Sequence, residues 1–389
     1  MPAQPCVLVT GYNIRYPLAG MVAEKLHYLA ALAKLGCEVW YLEESGWPNS
    51  CYNPATNTIS SDPTYGIAFQ RELLKPLGLE NRWVYVDEDR RYHNLSVEET
   101  RALCRRADLL ISLSAVNWLP EFLECPRRVF IDTDPGVTQF QMPAARAPSI
   151  AGCASPHDYH FHFSVGVNIG QPDCPIPTWG LNWRPWYPPV ALDLFPATFT
   201  PKAQFFSTVM SWAGRKPIQF DGVEYGFKAQ EFLRFLDLPE RAGRQFEIAI
   251  SGGGDHHAKV REHGWRLRDP LEVTRDMTAY RDFIGQSRGE FSVASNIYVK
   301  TRGGWFSDRS AIYLAMGKPV IVQDTQAQRR LPAGAGFLPF QTVDDILGAV
   351  DKLNSDYERQ CRAARQLAEE YFDANKLLRR MLTEIGLPV

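Results

Sequence analysis

Short β-branched runs alternate with helical stretches in the first half of the chain. The run CVLVT at 6–10 precedes apolar positions at helical spacing over 21–35, and CEVWYLEE at 37–44 has the pattern of a second strand. A helix between two strands must cross over and bury its apolar face, so parallel pairing follows. We therefore predict a Rossmann-like layer, whose further strands lie at 83–86, 109–113 and 128–132.

The second half repeats this alternation without repeating the sequence. Helices are predicted near 226–236, 274–285 and 307–316, and Thr342 with Asp345 forms a capping box ahead of another helix. The accompanying strands are predicted at 205–212, 246–254, 291–295, 319–324 and 336–340.

Two further stretches differ from this alternation. Residues 140–204 are rich in proline, which predicts little regular structure and marks a domain junction. Residues 357–385 have the charged, amphipathic pattern of one long helix. Together these patterns predict an α/β chain of two domains.

The stretch 299–324 has the residues best suited to bind an anion. Gly303 and Gly304 precede a helix predicted to begin at Ser307. A helix N-terminus offers unpaired N–H groups and a positive dipole end, so a diphosphate fits there, and the glycines would let it approach the backbone. A plain loop with a serine N-cap explains the same residues. Nearby positive charge comes from Lys300, Arg302 and Arg309.

This stretch resembles a known superfamily. The order Gly-Gly-Trp-x-Ser at 303–307, a helix, and then AMGKPVI at 315–321 resembles the donor-binding region of GT-B glycosyltransferases. The segments 334–356 and 362–382 are similar to the C-terminal end of that superfamily, and KAQEFLRFLDLP from Lys228 is similar to a helix start near the donor phosphates. In the N-terminal half the resemblance rests only on the order of elements.

The resemblance implies an α/β fold of two Rossmann-like domains with a cleft between them. Residues 1–197 would form the acceptor domain, 198–370 the donor domain, and 371–389 a C-terminal helix crossing back to the first domain. It implies transfer from a nucleoside diphosphate sugar to an acceptor hydroxyl, with no metal or other cofactor required. The acceptor (glycan, lipid or small molecule), the sugar, the nucleotide base and the stereochemical course stay open. The donor-binding candidates are Lys228, Gly253, Arg302, Gly303, Gly304, Trp305, Ser307, Asp308 and Arg309.

The chain departs from the superfamily in two places. The glutamate expected after the Gly-rich loop is absent, and Asp308 in that turn could take over a hydroxyl contact. The first loop, GYNIRYPLAG, contains no histidine to act as a base. Asp132 and Asp134 are the candidate catalytic residues, because they follow the strand RVFI at the carboxyl edge of the sheet, where open α/β folds bind ligands. A turn whose aspartates bind only backbone is the alternative.

Three other clusters have two interpretations each. The loop GGGDHH at 252–257 could line the donor cleft or form an ordinary turn. The aromatic patch of Trp179, Trp183, Trp186 and Tyr187 could stack on an acceptor or form the core of the junction. Zinc-binding side chains occur at Cys153, His157, His160, His162 and Cys174, but their spacing matches no common site. The run HDYHFHF alternates as a strand would, with His160 and His162 on one face, and we predict no metal site.

Composition narrows the class of protein. With 42 Lys and Arg against 44 Asp and Glu the net charge is −2, so binding of nucleic acid through bulk charge is not expected. The apolar content of 45% indicates a globular protein, and the absence of an 18-residue apolar run or a signal-peptide pattern leads us to expect a cytoplasmic protein without a transmembrane segment. The eight scattered cysteines are predicted to be reduced and mostly buried.

Alternative functions remain open at this point. A nicotinamide dehydrogenase would also show acidic residues after its second strand, here Glu43 and Glu44, but the first loop has no G-x-G-x-x-G. A non-hydrolysing nucleotide-sugar 2-epimerase shares the two-domain architecture. A catalytically inactive GT-B-like binding protein is the third alternative, because the helix glutamate is missing.

Overall fold

Two large β-sheets, one in each half of the chain, organise the residues that this computed structural model describes: 4–114, 116–142, 156–212, 216–243 and 245–387. The strands of the first half are β1 (Cys6–Thr10), β2 (Glu38–Glu44), β3 (Cys51–Asn53), β4 (Thr58–Ser60), β5 (Trp83–Val86), β6 (Tyr92–His93), β7 (Leu109–Leu113), β8 (Arg128–Asp132), β9 (Phe161–Ser164) and β10 (Trp183–Pro185). Its α-helices are α1 (Ala19–Lys34), α2 (Thr64–Leu74), α3 (Val97–Arg106) and α4 (Val137–Gln141).

The first sheet has the strand order β10-β9-β8-β7-β1-β2-β5-β6. Its neighbours pair in parallel, except for the antiparallel pair β5–β6. All five residues of β1 are buried, as expected for a strand with helices on both faces of its sheet. The predicted strands of this half are confirmed. The hairpin β3–β4 and helix α2 had no clear sequence pattern and were not predicted.

The second half has the same architecture. Its strands are β11 (Phe206–Ser211), β12 (Ile218–Phe220), β13 (Val223–Tyr225), β14 (Phe246–Ser251), β15 (Arg266–Arg268), β16 (Gly289–Ser292), β17 (Val320–Gln323) and β18 (Phe337–Phe340). Its α-helices are α5 (Lys228–Leu233), α6 (Leu238–Arg241), α7 (Gly254–Glu262), α8 (Pro270–Thr274), α9 (Met277–Gln286), α10 (Asn296–Thr301), α11 (Asp308–Ala315), α12 (Val343–Ser355), α13 (Tyr357–Leu367) and α14 (Ala374–Glu384).

The second sheet is parallel, with the order β15-β14-β11-β16-β17-β18. This is the Rossmann order, in which the first strand lies beside the point where the chain changes direction across the sheet. The predicted strands are confirmed, although the one predicted at 246–254 ends at Ser251, because Gly254 already begins α7. The two halves therefore form two Rossmann-like domains.

The proline-rich stretch is more regular than its composition predicts. Within its described part, β9 and β10 extend the first sheet by two parallel strands. Pro185 is tolerated because it lies at the end of β10, which is an edge strand. The prediction of little regular structure in this stretch was therefore wrong in part.

The helix predicted at 357–385 is interrupted. Helix α13 continues into a π-helical turn at Ala368–Phe372, and Asp373 separates this turn from α14. Helix α14 packs on α1 and the first sheet, where Leu378, Met381 and Leu382 are buried in the N-terminal core. The C-terminal helix thus crosses back as expected. The domain boundaries at 197/198 and 370/371 stay predictions.

Candidate active site

A cleft of about 660 Å³ lies between the two domains. On the N-terminal side it is lined by residues that follow the ends of β1, β8 and β9, among them Tyr12, Asp134 and Val165. On the C-terminal side it meets the ends of β11 and β14, at Ser211 and Ser251. Both sheets therefore present their carboxyl edges to one cavity, the position at which open α/β folds bind ligands.

A buried ion pair fixes the first loop on the N-terminal wall. Glu43, at the end of β2, accepts hydrogen bonds from the backbone N–H groups of Ile14 and Arg15, both at 2.8 Å. Arg15 Nε pairs with the same carboxylate at 3.3 Å, and Tyr41 Oη donates to it at 2.5 Å. Because this carboxylate is satisfied by four donors, Tyr12 and Tyr16 are held in place at the cleft.

Helix α1 brings a charged pair to the same wall. Glu24 lines the cleft and forms an ion pair with Lys25, whose ammonium lies 3.6 Å from the centre of the Tyr12 ring. Burial raises the pKa of the Glu24 carboxyl, although Lys25 opposes this shift. Burial also works against the charge of Lys25, but Glu24 and Tyr12 outweigh it and raise the pKa of the ammonium. The wall thus carries a carboxylate that the sequence did not single out.

The two predicted aspartates after β8 have different surroundings. Asp132 is fully buried and accepts hydrogen bonds from Thr138 Oγ1 at 2.6 Å and Ser164 Oγ at 2.7 Å, as well as from an amide side chain and a backbone N–H. Its carboxylate therefore holds the loop rather than facing the cleft. Asp134 lines the cleft, and Tyr298 Oη of the C-terminal domain donates to it at 2.6 Å.

The C-terminal wall is built on the start of α11. Trp305, Ser307 and Asp308 line the cleft there, and Trp305 stacks on Tyr298 with ring centroids 4.3 Å apart. Ser307 occupies the N-cap position, but its hydroxyl donates to Asp308 at 3.3 Å instead of capping the helix. The N–H groups of the first turn have no partner within the helix, so an anion in the cleft can bind them.

Arg309 lines the cleft and also connects α11 to the second sheet. Its guanidinium pairs with the fully buried Glu290 at 2.7 Å and donates to Val209 O and Ser292 Oγ, both at 2.6 Å. These contacts join α11 to β11 and β16. Because a guanidinium has five N–H donors and three make these contacts, two have no partner among the described residues, and Arg309 lines the cleft.

Lys228 begins α5 on the C-terminal wall of the cleft and is partly buried. Within the described part of the chain, its ammonium has no hydrogen-bond or ion-pair partner. Burial, followed by repulsion from Arg309, lowers the pKa of Lys228 to about 7. A cation that lacks a partner and faces a cavity suits an anionic ligand.

Several predicted donor-binding residues lie elsewhere. Gly304 has a φ of +75°, and a Cβ there would lie 2.7 Å from the side chain of Asn168. The backbone N–H of Asn168 donates to the carbonyl of Gly303 at 2.9 Å, so the Gly-Gly turn packs on the N-terminal domain and not around the cleft. Arg302 is exposed beside a separate cavity of about 360 Å³. Gly253, with φ +69°, packs against Trp212 and does not line the cleft.

Comparisons with solved structures identify the architecture. An α-glucosyltransferase in complex with UDP and DNA containing an HMU base superposes with a TM-score of 0.60 at 10% identity, covering 98% of this chain and all of that one. The structure has the GT-B fold. Sucrose-phosphate synthase from Thermosynechococcus elongatus (TM-score 0.54, 13% identity, 98% of each chain) and Anabaena HepE in complex with UDP and glucose (0.54, 10%, 98% and 100%) are also similar. No protein-family model and no curated sequence matches the chain.

Most of the aromatic patch is core of this GT-B fold. Trp186 is buried and its Nε1 donates to Tyr28 Oη at 2.8 Å, while Trp183 packs against Phe130. Tyr187 packs on Tyr371 near the π-helical turn. Trp179 alone of the four is exposed, at 38%. The junction interpretation therefore holds for the other three. The loop GGGDHH is the start of α7, where His256 stacks on a tryptophan.

The described residues of the GT-B fold contain no group of three side chains able to hold a metal ion. His160 is exposed and precedes β9, where its ring accepts from Arg128 N–H at 3.1 Å, whereas His162 is buried against Trp183. The two rings therefore have different surroundings, and β9 begins only at Phe161. Cys153 lies outside the described residues. The seven described cysteines are buried and unpaired.

Two predictions about partners have different outcomes. Among the described residues, no helix has the length and apolarity needed to cross a membrane. The prediction that no nucleic acid is a partner stays a prediction, because one similar GT-B structure is a complex with DNA.

Proposed function

We propose that the protein is a glycosyltransferase that moves a sugar from a nucleoside diphosphate sugar to an acceptor hydroxyl. One observation carries the proposal: a single cleft places two cations and a helix N-terminus on one wall and carboxylates on the other. A leaving diphosphate needs the first wall, and an acceptor hydroxyl that loses its proton needs the second. The UDP and UDP-glucose complexes of similar structures support this proposal.

The donor diphosphate would lie between Lys228, the two remaining N–H groups of Arg309 and the first turn of α11. These groups offset the charge that develops on the departing diphosphate. A charge-assisted hydrogen bond of this kind is worth about 1.5–3 kcal/mol. On this basis the transfer needs no metal ion, and activity should survive treatment with EDTA.

We propose that the carboxylate of Asp134 accepts the proton of the acceptor hydroxyl. Asp134 lines the cleft from the N-terminal side, opposite the donor-binding wall, and Tyr298 Oη holds its carboxylate. Asp132 would act as a positioning residue, because its carboxylate fixes the loop that carries Asp134. Asp134→Asn should lower kcat far more than it changes the Kd of the donor, whereas Asp132→Asn should lower the free energy of unfolding.

A thermal-shift screen tests donor binding. The purified chain is heated with UDP, GDP, dTDP, ADP or NAD, since a ligand that binds only the folded state raises Tm. We expect one nucleoside diphosphate to raise Tm and NAD to have no effect. Stabilisation by NAD alone, or by none of the five, would contradict the proposal.

Matched variants and product analysis separate the remaining functions. Lys228→Met should strongly reduce the thermal shift, while Lys202→Met, which changes an exposed lysine outside the cleft, should preserve it. Mass spectrometry and NMR of the products then distinguish transfer from other outcomes. An epimerised sugar nucleotide would indicate a 2-epimerase, and binding without turnover would indicate an inactive binding protein.

A further inference from the structure

The N-terminal wall of the cleft has an aromatic and aliphatic surface in front of the donor site. Tyr12 and Tyr16 meet edge to face with ring centroids 6.4 Å apart. Ile59, on the hairpin β3–β4, is 60% exposed even though it borders the cleft. Together we call these residues the tyrosine wall: Tyr12, Tyr16, Leu18, Met21, Tyr52 and Ile59.

The tyrosine wall is fixed in place before any ligand binds. Tyr52 N–H donates to Arg15 O at 2.8 Å, which ties the hairpin to the first loop. Arg15 itself is buried and paired with Glu43. The Tyr52 hydroxyl donates to Asn57 Oδ1 at 3.0 Å and so orients the ring. Binding to such a surface costs little ordering entropy.

Among the described residues that line this side of the cleft, the charged ones are both acidic; Lys25, which pairs with Glu24, is buried and does not line it. Glu24 and Asp134 contribute carboxylates, whereas both cations of the lining, Lys228 and Arg309, belong to the C-terminal wall. A nucleic acid or another polyanion needs Lys and Arg along its path. An anionic acceptor would meet these carboxylates in a partly desolvated cavity, and the cation behind this wall, Lys25, is already paired with Glu24.

From these observations we propose that the acceptor is a neutral saccharide held by the tyrosine wall and Glu24. The inference rests on the proposed glycosyl transfer and names its acceptor class. A pyranose ring offers a face of C–H groups, which packs on aromatic rings, and a rim of hydroxyl donors, which an ionised carboxylate accepts. The wall supplies both kinds of contact.

Transfer of a radiolabelled sugar to a panel of acceptors tests the proposal. The full chain is incubated with the sugar nucleotide chosen by the thermal-shift screen. The panel contains neutral oligosaccharides (maltose, cellobiose and lactose series), sulfated and uronate-containing oligosaccharides, and duplex DNA with hydroxymethylated bases. We expect transfer to at least one neutral saccharide, with an acceptor KM that does not change with salt. Transfer only to an anionic saccharide or to DNA would overturn the proposal.

Variants locate the acceptor on the wall. Tyr52→Ala should raise the acceptor KM about 3- to 10-fold, as expected for the loss of one stacking ring, and Tyr52→Phe should recover most of this loss. Glu24→Gln should raise the acceptor KM as well, since an amide is a weaker acceptor than a carboxylate. Thr58→Ala, on the same hairpin but outside the cleft lining, is the matched control and should leave the acceptor KM unchanged. An unchanged KM in Tyr52→Ala and Glu24→Gln would overturn the proposal.

The experiment also separates failure of this inference from failure of the proposed function. If the sugar nucleotide binds and is hydrolysed slowly by water, but no neutral saccharide on the panel receives the sugar, the acceptor class is wrong and the glycosyl-transfer proposal stands. If no sugar nucleotide binds, both proposals fall together.

Discussion

Donor affinity should fall as the pH rises, through the titration of Lys228. Its ammonium lines the cleft with a pKa lowered to about 7, first by burial and then by Arg309. Only the protonated form can pair with a diphosphate. Negative charge raises the pKa of Lys228, but it does not outweigh burial and Arg309; the groups concerned are Glu290, Asp308 and Asp134.

The size of the effect follows from proton linkage. If the bound diphosphate raises the pKa of Lys228 to about 9 or more, the Kd should be nearly constant below pH 6.5. It should rise about 20-fold between pH 6.5 and 8.5, which corresponds to about 2 kcal/mol. The sign is fixed, because raising the pH removes the charge that binds the donor.

Isothermal titration calorimetry with the intact sugar nucleotide is the suitable assay. An intact sugar nucleotide, unlike the free nucleoside diphosphate, has no terminal phosphate that titrates in this range. Lys228→Arg should bind with a Kd independent of pH, because arginine stays protonated, and Lys228→Met should bind weakly at every pH. A flat profile in the unmodified chain, or the same slope in Lys228→Arg, would refute the reasoning.

Three further predictions concern stability and can be checked by urea unfolding. Arg309→Ala should lower the free energy of unfolding by about 3–5 kcal/mol, because the buried Glu290 loses its partner, and adding Glu290→Gln should restore part of this loss. Gly304→Ala should lower the free energy of unfolding by about 1–3 kcal/mol more than Gly170→Ala does. Both glycines have positive φ, but only at Gly304 would an added Cβ meet a neighbouring loop. Equal losses in the two variants would contradict this. Burial lowers the pKa of His27 to about 3, so the protein should lose stability as the pH falls below about 6.5, where the unfolded chain takes up the proton. In His27→Asn the free energy of unfolding should fall less between pH 7 and pH 4.5 than in the unmodified chain. The same pH profile in both proteins would show that His27 does not cause the loss of stability.

The order of elements could be predicted from the sequence, because each strand is a short apolar run and each crossover helix repeats its apolar positions at helical spacing. The grouping of residues at the start of α11 could also be predicted, because these residues are neighbours in the chain: Trp305, Ser307, Asp308 and Arg309. Local spacing was sufficient to bring them to one wall of the cleft.

The rest of the candidate site depends on contacts between distant residues. Glu24 reaches the cleft on α1 and Tyr298 reaches it on α10, in different domains, and local spacing does not predict that the two helices meet one cavity. The one available signal was a charged pair inside the apolar pattern of α1. For Gly304 the sequence indicates a close approach to the backbone, but it does not identify the approaching group. Here that group is Asn168.

The return of α14 to the first domain also determines when that domain can finish folding. Its core otherwise consists of residues between Val7 and Trp186, yet Leu378, Met381 and Leu382 form part of the same buried cluster. During translation these leucines and this methionine are added only after the whole C-terminal domain, about 10–40 s later at ordinary ribosomal speeds. Until then the nascent first domain exposes an apolar face on α1. The protein is therefore expected to complete its two domains together, and chaperones that bind apolar surface would have that interval in which to act.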